Sequence, residues 1–263
     1  MTIPEDFTDF LYWVKERTEA FWSVNPKSND TEFVCEDWAY GAKWIGMTDS
    51  EIDKAEKKYA IKFSKNHKAF LKILHTIDRK KYIPDWDFDE DGNDISTEFP
   101  FFYNWNEDHK ELQESFKWPF ESLRNDSKDH FWLKSWGDKP SSTKEKEKIF
   151  TDWYYQAPKL IPLRSLRYVI SEPIDTDNPI LSIYGIDTII YGGTFRQYLL
   201  NELQEELGLL DFVYDKEEDV WHTEPKKEFK NIYDAGYTSL KNRDIPVWKE
   251  FLIANGANVY LKK

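Results

Sequence analysis

Apolar residues recur at helical spacing near the start of the chain. Phe7, Phe10, Leu11, Val14, Thr18 and Phe21 fall on one face, and Pro4 suits a first turn, so residues 4–22 are expected to form an amphipathic helix. The polar stretch SVNPKSNDTE ends it. A second helix is expected from Thr48, because TDSE has the spacing of a capping box, with Glu51 three residues after Thr48. Ile52, Ala55 and Tyr59 then repeat at three and four. Ser64 is a candidate N-cap for a third helix with Phe70, Leu71, Leu74 and Ile77 on one side.

From about residue 82 the period shortens. The runs FPFFYNW, HFWL, KLIPL and RYVI alternate with polar turns and read as strands. In NPILSIYGIDTIIYGG, two β-rich runs, Ile180–Tyr184 and Asp187–Tyr191, flank Gly185–Ile186. Glycine in the first loop position suits a type II′ hairpin. Thr194 then caps a helix with Phe195, Tyr198, Leu199, Leu203 and Leu207 inward, stopped by Gly208. A charged segment is expected to be helical over Thr143–Tyr155, residues 214–230 to form a surface excursion, and Ile245–Ala254 a last helix. Helices first, then antiparallel-looking strands with interspersed helices, predict a single α+β domain. Residues 1–42 are expected to be an N-terminal helical extension packed on a domain of residues 43–263.

Composition narrows the class. Over 263 residues, 40% are apolar and 32% charged, which is the balance of a chain with a sizeable core. Aromatic residues reach 17%, so large rings are expected to build that core. A net charge of −13 disfavours nucleic acid and anionic lipid as direct partners and favours a basic protein. The single cysteine, Cys35, has no disulfide partner within the chain and reads as a small apolar residue. MTIPEDFTDF has neither the basic nor the apolar region of a signal peptide, and no run approaches the roughly 20 apolar residues of a membrane span. A cytoplasmic protein is expected.

Candidate chemistry is sparse. The histidines His67, His75, His109, His130 and His222 form no HExxH pair and have no partner cysteines, so they read as solvated or core residues. No nucleophile elbow or phosphate-binding loop is present; YGGT places glycines before a helix, where a turn is the plainer reading. Acidic pairs such as Glu36–Asp37 and Glu217–Glu218–Asp219, beside 12 tryptophans, also fit a sugar-active cleft, although 49 acidic residues make such pairs common by chance. DWDFDEDGNDISTEF has the spacing of an EF-hand loop: Asp87, Asp89 and Asp91 at one, three and five, Gly92 at six, Glu98 at twelve. Its context argues against that chemistry. Pro84 precedes it, Phe99–Pro100 follows at once, and Asp94 stands where an apolar residue would pair with a second loop. An acidic surface loop is the expected form.

Several phrases, in order, resemble the SUKH superfamily, named for its yeast cell-wall-synthesis regulator and bacterial relatives. They are KWIGMTDSEIDKAEKKYAIKFSKNHKAFLKIL, then FFYNWNED, WPFESL and FWLKSWGDKP, then APKLIPLRSLRYVISEP, NPILSIYGIDTIIYGG, FRQYLLNEL and IPVWKEFL. Together they span most of residues 40–255. Where the family has a His-Arg-Tyr run after its PLIP-like strand, this chain has Leu166, Arg167 and Tyr168. The resemblance implies a single α+β domain with a largely antiparallel central sheet packed by helices, and a protein that is not an enzyme; no cofactor or metal is expected. It implies a bacterial immunity protein that binds a toxin, such as a nuclease, and blocks it inside the producing cell.

The combined expectation is a cytoplasmic, acidic antitoxin acting by stoichiometric protein–protein interaction with a basic toxin domain. Its binding face is expected at Asp87, Asp89, Glu90, Asp91 and Asp94 with Glu107 and Asp108. Trp44, Gly46, Trp136, Gly137, Pro162, Arg167, Tyr168, Tyr184, Gly185, Asp187, Tyr191 and Gly192 are assigned to the fold, with Arg167 and Asp187 as an ion pair. The alternatives are a regulatory scaffold that binds an endogenous partner and a carbohydrate-binding or glycoside-active protein.

Overall fold

The computed structural model describes residues 2–27, 33–88, 94–128, 130–175, 177–229 and 245–254; within the strands, the side chains of 83–88 and 94–97 are not described. Asp89, Glu90, Asp91 and Gly92 lie outside the described residues, as do the side chains of Asp87 and Asp94.

Helix α1 runs Phe7–Trp22, started by the Asp6 carboxylate, which accepts from the N–H groups of Thr8 and Asp9. Its buried face is Phe10, Leu11, Val14, Thr18 and Trp22. Thr18 is tolerated there because its hydroxyl donates to Val14 O at 2.9 Å and accepts from the Trp44 indole at 2.6 Å. The expected capping box opens α2 (Asp49–Tyr59), with both reciprocal bonds between Thr48 and Glu51 present. Ser64 caps α3 (Lys65–Leu74) through His67 N. A two-residue strand β1 (Trp44–Ile45) pairs with β2 (Thr76–Ile77). Gly46 follows β1 so closely under α3 that a Cβ there would stand 2.1 Å from Lys72 O.

Strands β3 (Lys80–Phe88) and β4 (Asp94–Pro100) form an antiparallel hairpin. The EF-hand spacing is therefore flanked by strands, where a calcium loop needs helices. The run FPFFYNW is strand only as far as Pro100, and HFWL is not a strand. Between them lies a helix that the sequence reading did not anticipate, α4 (His109–Ser127), followed by α5 (Thr143–Gln156).

The central sheet is antiparallel in the order β5 (Leu160–Arg164), β6 (Arg167–Ile170), β7 (Ile180–Tyr184), β8 (Asp187–Gly192). The β7–β8 loop has two residues, with φ of +56° at Gly185 and no positive φ at Ile186, as the type II′ expectation requires. Pro162 is accommodated because β5 is a sheet edge, where a missing N–H breaks no ladder bond. Period-2 alternation sends neighbouring residues into two separate apolar clusters. Ile161, Leu163, Val169 and Ile180 join the larger one, with α1, α3 and α6 (Phe195–Glu202). Tyr168, Ile170, Leu181, Ile183 and Ile190 join the other, with α4, α5 and α7 (Trp248–Ala254). The sheet is thus covered on both faces, in a mixed α+β single-domain arrangement. Because α1 supplies the larger cluster directly, residues 7–22 are part of the core around that sheet.

The remaining strands, β9 (Leu210–Asp215) and β10 (Val220–Pro225), make an exposed hairpin that begins before the expected surface excursion of residues 214–230 and overlaps it. The aromatic core is as expected: Trp22, Trp44, Phe101 and Phe102 meet at centroid distances of 5.3–5.8 Å. Among the other residues assigned to the fold, Trp136 packs 5.5 Å from Trp153 and Gly137 takes φ of +72°. Gly192 lets α6 approach β8, since a Cβ there would meet Tyr198 Cα at 2.7 Å. Tyr184 and Asp187 are exceptions: Tyr184 is 63% exposed beside Trp118, and Asp187 is exposed as well.

Candidate partner-binding groove

Three segments distant in sequence converge beside the root of the β3–β4 hairpin. They are the end of β4 with the residues after it, the first half of α4, and the two-residue Ser165–Leu166 turn between β5 and β6. They enclose a groove of about 540 Å³, within the range of sites that hold a small ligand or an inserted side chain.

Its walls are aromatic. Trp38, Phe99, Tyr103 and Trp118 line it, with Phe99 47% exposed. The Trp118 indole donates to Ile183 O at 3.1 Å, which fixes that ring against the sheet. Tyr103 N donates to Leu163 O at 3.1 Å, tying the segment after β4 to the sheet edge. Tyr168, whose ring is buried, reaches the floor and meets the Ser115 hydroxyl at 3.1 Å.

Its charge is carried by Glu98, Glu111 and Glu114, with Lys81 and Arg164. Glu111 and Glu114 are three apart on α4 and so share a face with Trp118. Burial pushes the Tyr103 hydroxyl above its ordinary pKa, and Asp108, Glu111 and Glu114 push it further, the sign of a negative local potential.

The residues expected to bind a partner divide. Glu107 is exposed, as expected. Asp108 is a correction: it is 1% exposed, accepts from Lys80 Nζ at 2.5 Å and from Asn104 N at 2.7 Å, and holds the entry to α4. A carboxylate committed to two donors inside the fold is not offered to a partner. The expected Arg167–Asp187 pair is also corrected. Asp187 is exposed, while Arg167 lies 3.3 Å from Glu202, bonds Ser182 Oγ at 2.6 Å and stacks 3.8 Å from the Tyr191 ring.

Other candidates recede. Cys35 is buried, and burial raises its thiol pKa, so it is a poor nucleophile. The α6 N-terminus, which follows YGGT, is occupied by the protein's own carboxylate, with Phe195 N donating to Asp177 Oδ1 at 3.1 Å. Among the described residues no group of three or more His, Cys, Asp or Glu is placed to hold a metal ion, and no helix is long and apolar enough to cross a membrane.

The groove residues Trp38, Tyr103, Glu111, Glu114, Trp118 and Leu166 were not expected as a site. The available signal was Glu111, Glu114 and Trp118 at helical spacing, offset by Pro119, which is disfavoured inside a helix. No protein-family model matches the sequence, and searches of curated proteins and of solved structures return no match.

Proposed function

We propose that this chain is a cytoplasmic immunity protein that neutralises a basic bacterial toxin, such as a nuclease, by stoichiometric binding. The observation that carries the reading is an aromatic groove whose carboxylates have no ion-pair partner among the described residues, at the root of an acidic hairpin, in a protein of net charge −13. Such a surface attracts a basic partner over distance and offers rings to anchor it on contact. The resemblance to the SUKH superfamily points the same way.

The test is co-expression with a toxin encoded beside it. Growth should be rescued, and the purified toxin should lose activity at one equivalent of this protein. A bound toxin that keeps full activity at saturation would defeat the proposal.

Rings beside carboxylates favour one other reading, a sugar-binding cleft. A glycan that shifts the indole signals of Trp38 and Trp118 at submillimolar concentration would support it.

A further inference from the structure

The two cations in the groove wall are already engaged from outside it. Lys81 Nζ lies 2.8 and 2.6 Å from the two carboxylate oxygens of Glu36. Arg164 lies 3.1 Å from Glu202 Oε1, with its guanidinium carbon 4.4 Å from the Phe101 ring centre. Neither Glu36 nor Glu202 lines the groove. By contrast, Glu98, Glu111 and Glu114 have no basic group within ion-pair distance among the described residues. The groove therefore presents three carboxylates without an ion pair among the described residues, although Lys80, bonded to Asp108, acts on Glu98 and Glu111 from a distance. Beside apolar rings they make a combination that one kind of side chain complements.

We propose that the groove receives an arginine side chain from a basic segment of a protein partner, its guanidinium flat against the aromatic wall and its N–H groups on Glu111 and Glu114. Arginine fits better than lysine for three reasons. Its planar head stacks on rings, it is less strongly hydrated than an ammonium, and its fork of donors serves two carboxylates at once. Arg164 over Phe101 is the same contact made within this wall. The exposed Tyr214–Trp221 face of the β9–β10 hairpin has rings as well, but the carboxylate beside them, Asp219, is already engaged by the Tyr214 hydroxyl.

This inference rests on the proposed protein-binding function, and its experiment separates the two. The full chain would be titrated with a blocked Gly-Arg-Gly-Arg-Gly peptide, following the indole N–H signals of Trp38 and Trp118 by NMR. The citrulline and lysine counterparts and a glycan panel serve as comparisons. The arginine peptide should bind about tenfold tighter than the citrulline peptide, and Glu111→Gln with Glu114→Gln should remove about tenfold of that affinity. Leu166→Arg, at an exposed two-residue turn, should place the protein's own guanidinium in the groove and block the peptide without touching a carboxylate. Equal binding of the citrulline peptide, unchanged binding in both variants, or displacement by a sugar would overturn the inference. Loss of peptide binding with toxin protection intact overturns the groove alone; peptide binding with no protection overturns the function alone.

Discussion

The hydroxyl of Tyr168 on β6 lies 3.1 Å from the main-chain carbonyl of Ser115 on α4. Pro119 stands four residues further along that helix and has no N–H to give to the same carbonyl. A side chain from the sheet thus supplies the donor that the helix lacks, which allows proline inside a 19-residue helix.

Tyr168→Phe should therefore destabilise the protein by about 1–3 kcal/mol, the cost of a buried group left unpaired. In a Pro119→Ala background, where an N–H is restored, the cost should be clearly smaller. Urea denaturation of the four species measures the coupling. Equal costs in the two backgrounds would show that the hydroxyl does not stand in for the missing N–H.

His67 and His75 are both buried, and burial pulls them down from the ordinary 6.5 to about 3 and about 4. Both are neutral in the folded chain, while the unfolded chain takes up a proton at each near pH 6.5. Their contribution to stability is therefore complete above about pH 6.5 and falls as the pH drops toward 4, by about 1.4 kcal/mol per pH unit for each group. Among the described residues His67 Nε2 has no hydrogen-bond partner, and the ring packs against Phe63 and Phe195. His67→Leu should fold at pH 7 and remove about 2 kcal/mol of the loss seen between pH 7 and pH 5. The same loss in variant and parent would refute this assignment.

Gly46 and Gly41 should respond unequally to alanine. At Gly46 the added Cβ collides with the main-chain carbonyl of Lys72, which cannot retreat without disturbing α3. A cost of about 3 kcal/mol or more is expected there. Gly41 has φ of +74° but meets only the end of the Arg79 side chain, at 4.0 Å. Strain alone should cost about 1–2 kcal/mol. Thermal melting of the two variants gives the order, and the reverse order would contradict the packing described.

Glu202 holds both Arg164 and Arg167, at 3.1 and 3.3 Å, and is 11% exposed. Removing it by Glu202→Ala should cost about 1.5–3 kcal/mol, whereas Asp187→Ala at the exposed hairpin end should stay within about 0.5 kcal/mol. Chemical denaturation of both single variants tests the pairing directly.

Much of the secondary structure was legible because its signals are local. The Thr48–Glu51 capping box, the Ser64 and Thr194 N-caps and the Gly185–Ile186 turn each act within a few residues, and each is formed. The stripe on α1 was legible too, even at Thr18, whose reason for burial only the contact with Trp44 supplies. Helix α4 was not legible, since proline inside a helix is disfavoured until Tyr168, 53 residues away, answers the orphaned carbonyl.

The chain by itself thus determined an acidic, ring-rich α+β protein, with most helix starts and one hairpin in place. Tertiary structure alone decided that Asp108 is buried with Lys80, that Arg167 chooses Glu202 over Asp187, and that the carboxylates of α4 face Trp38 and Phe99 across a groove. Caps and turns are short-range energies that neighbouring residues settle. Burial and charge pairing depend on which distant segments the folded core brings together.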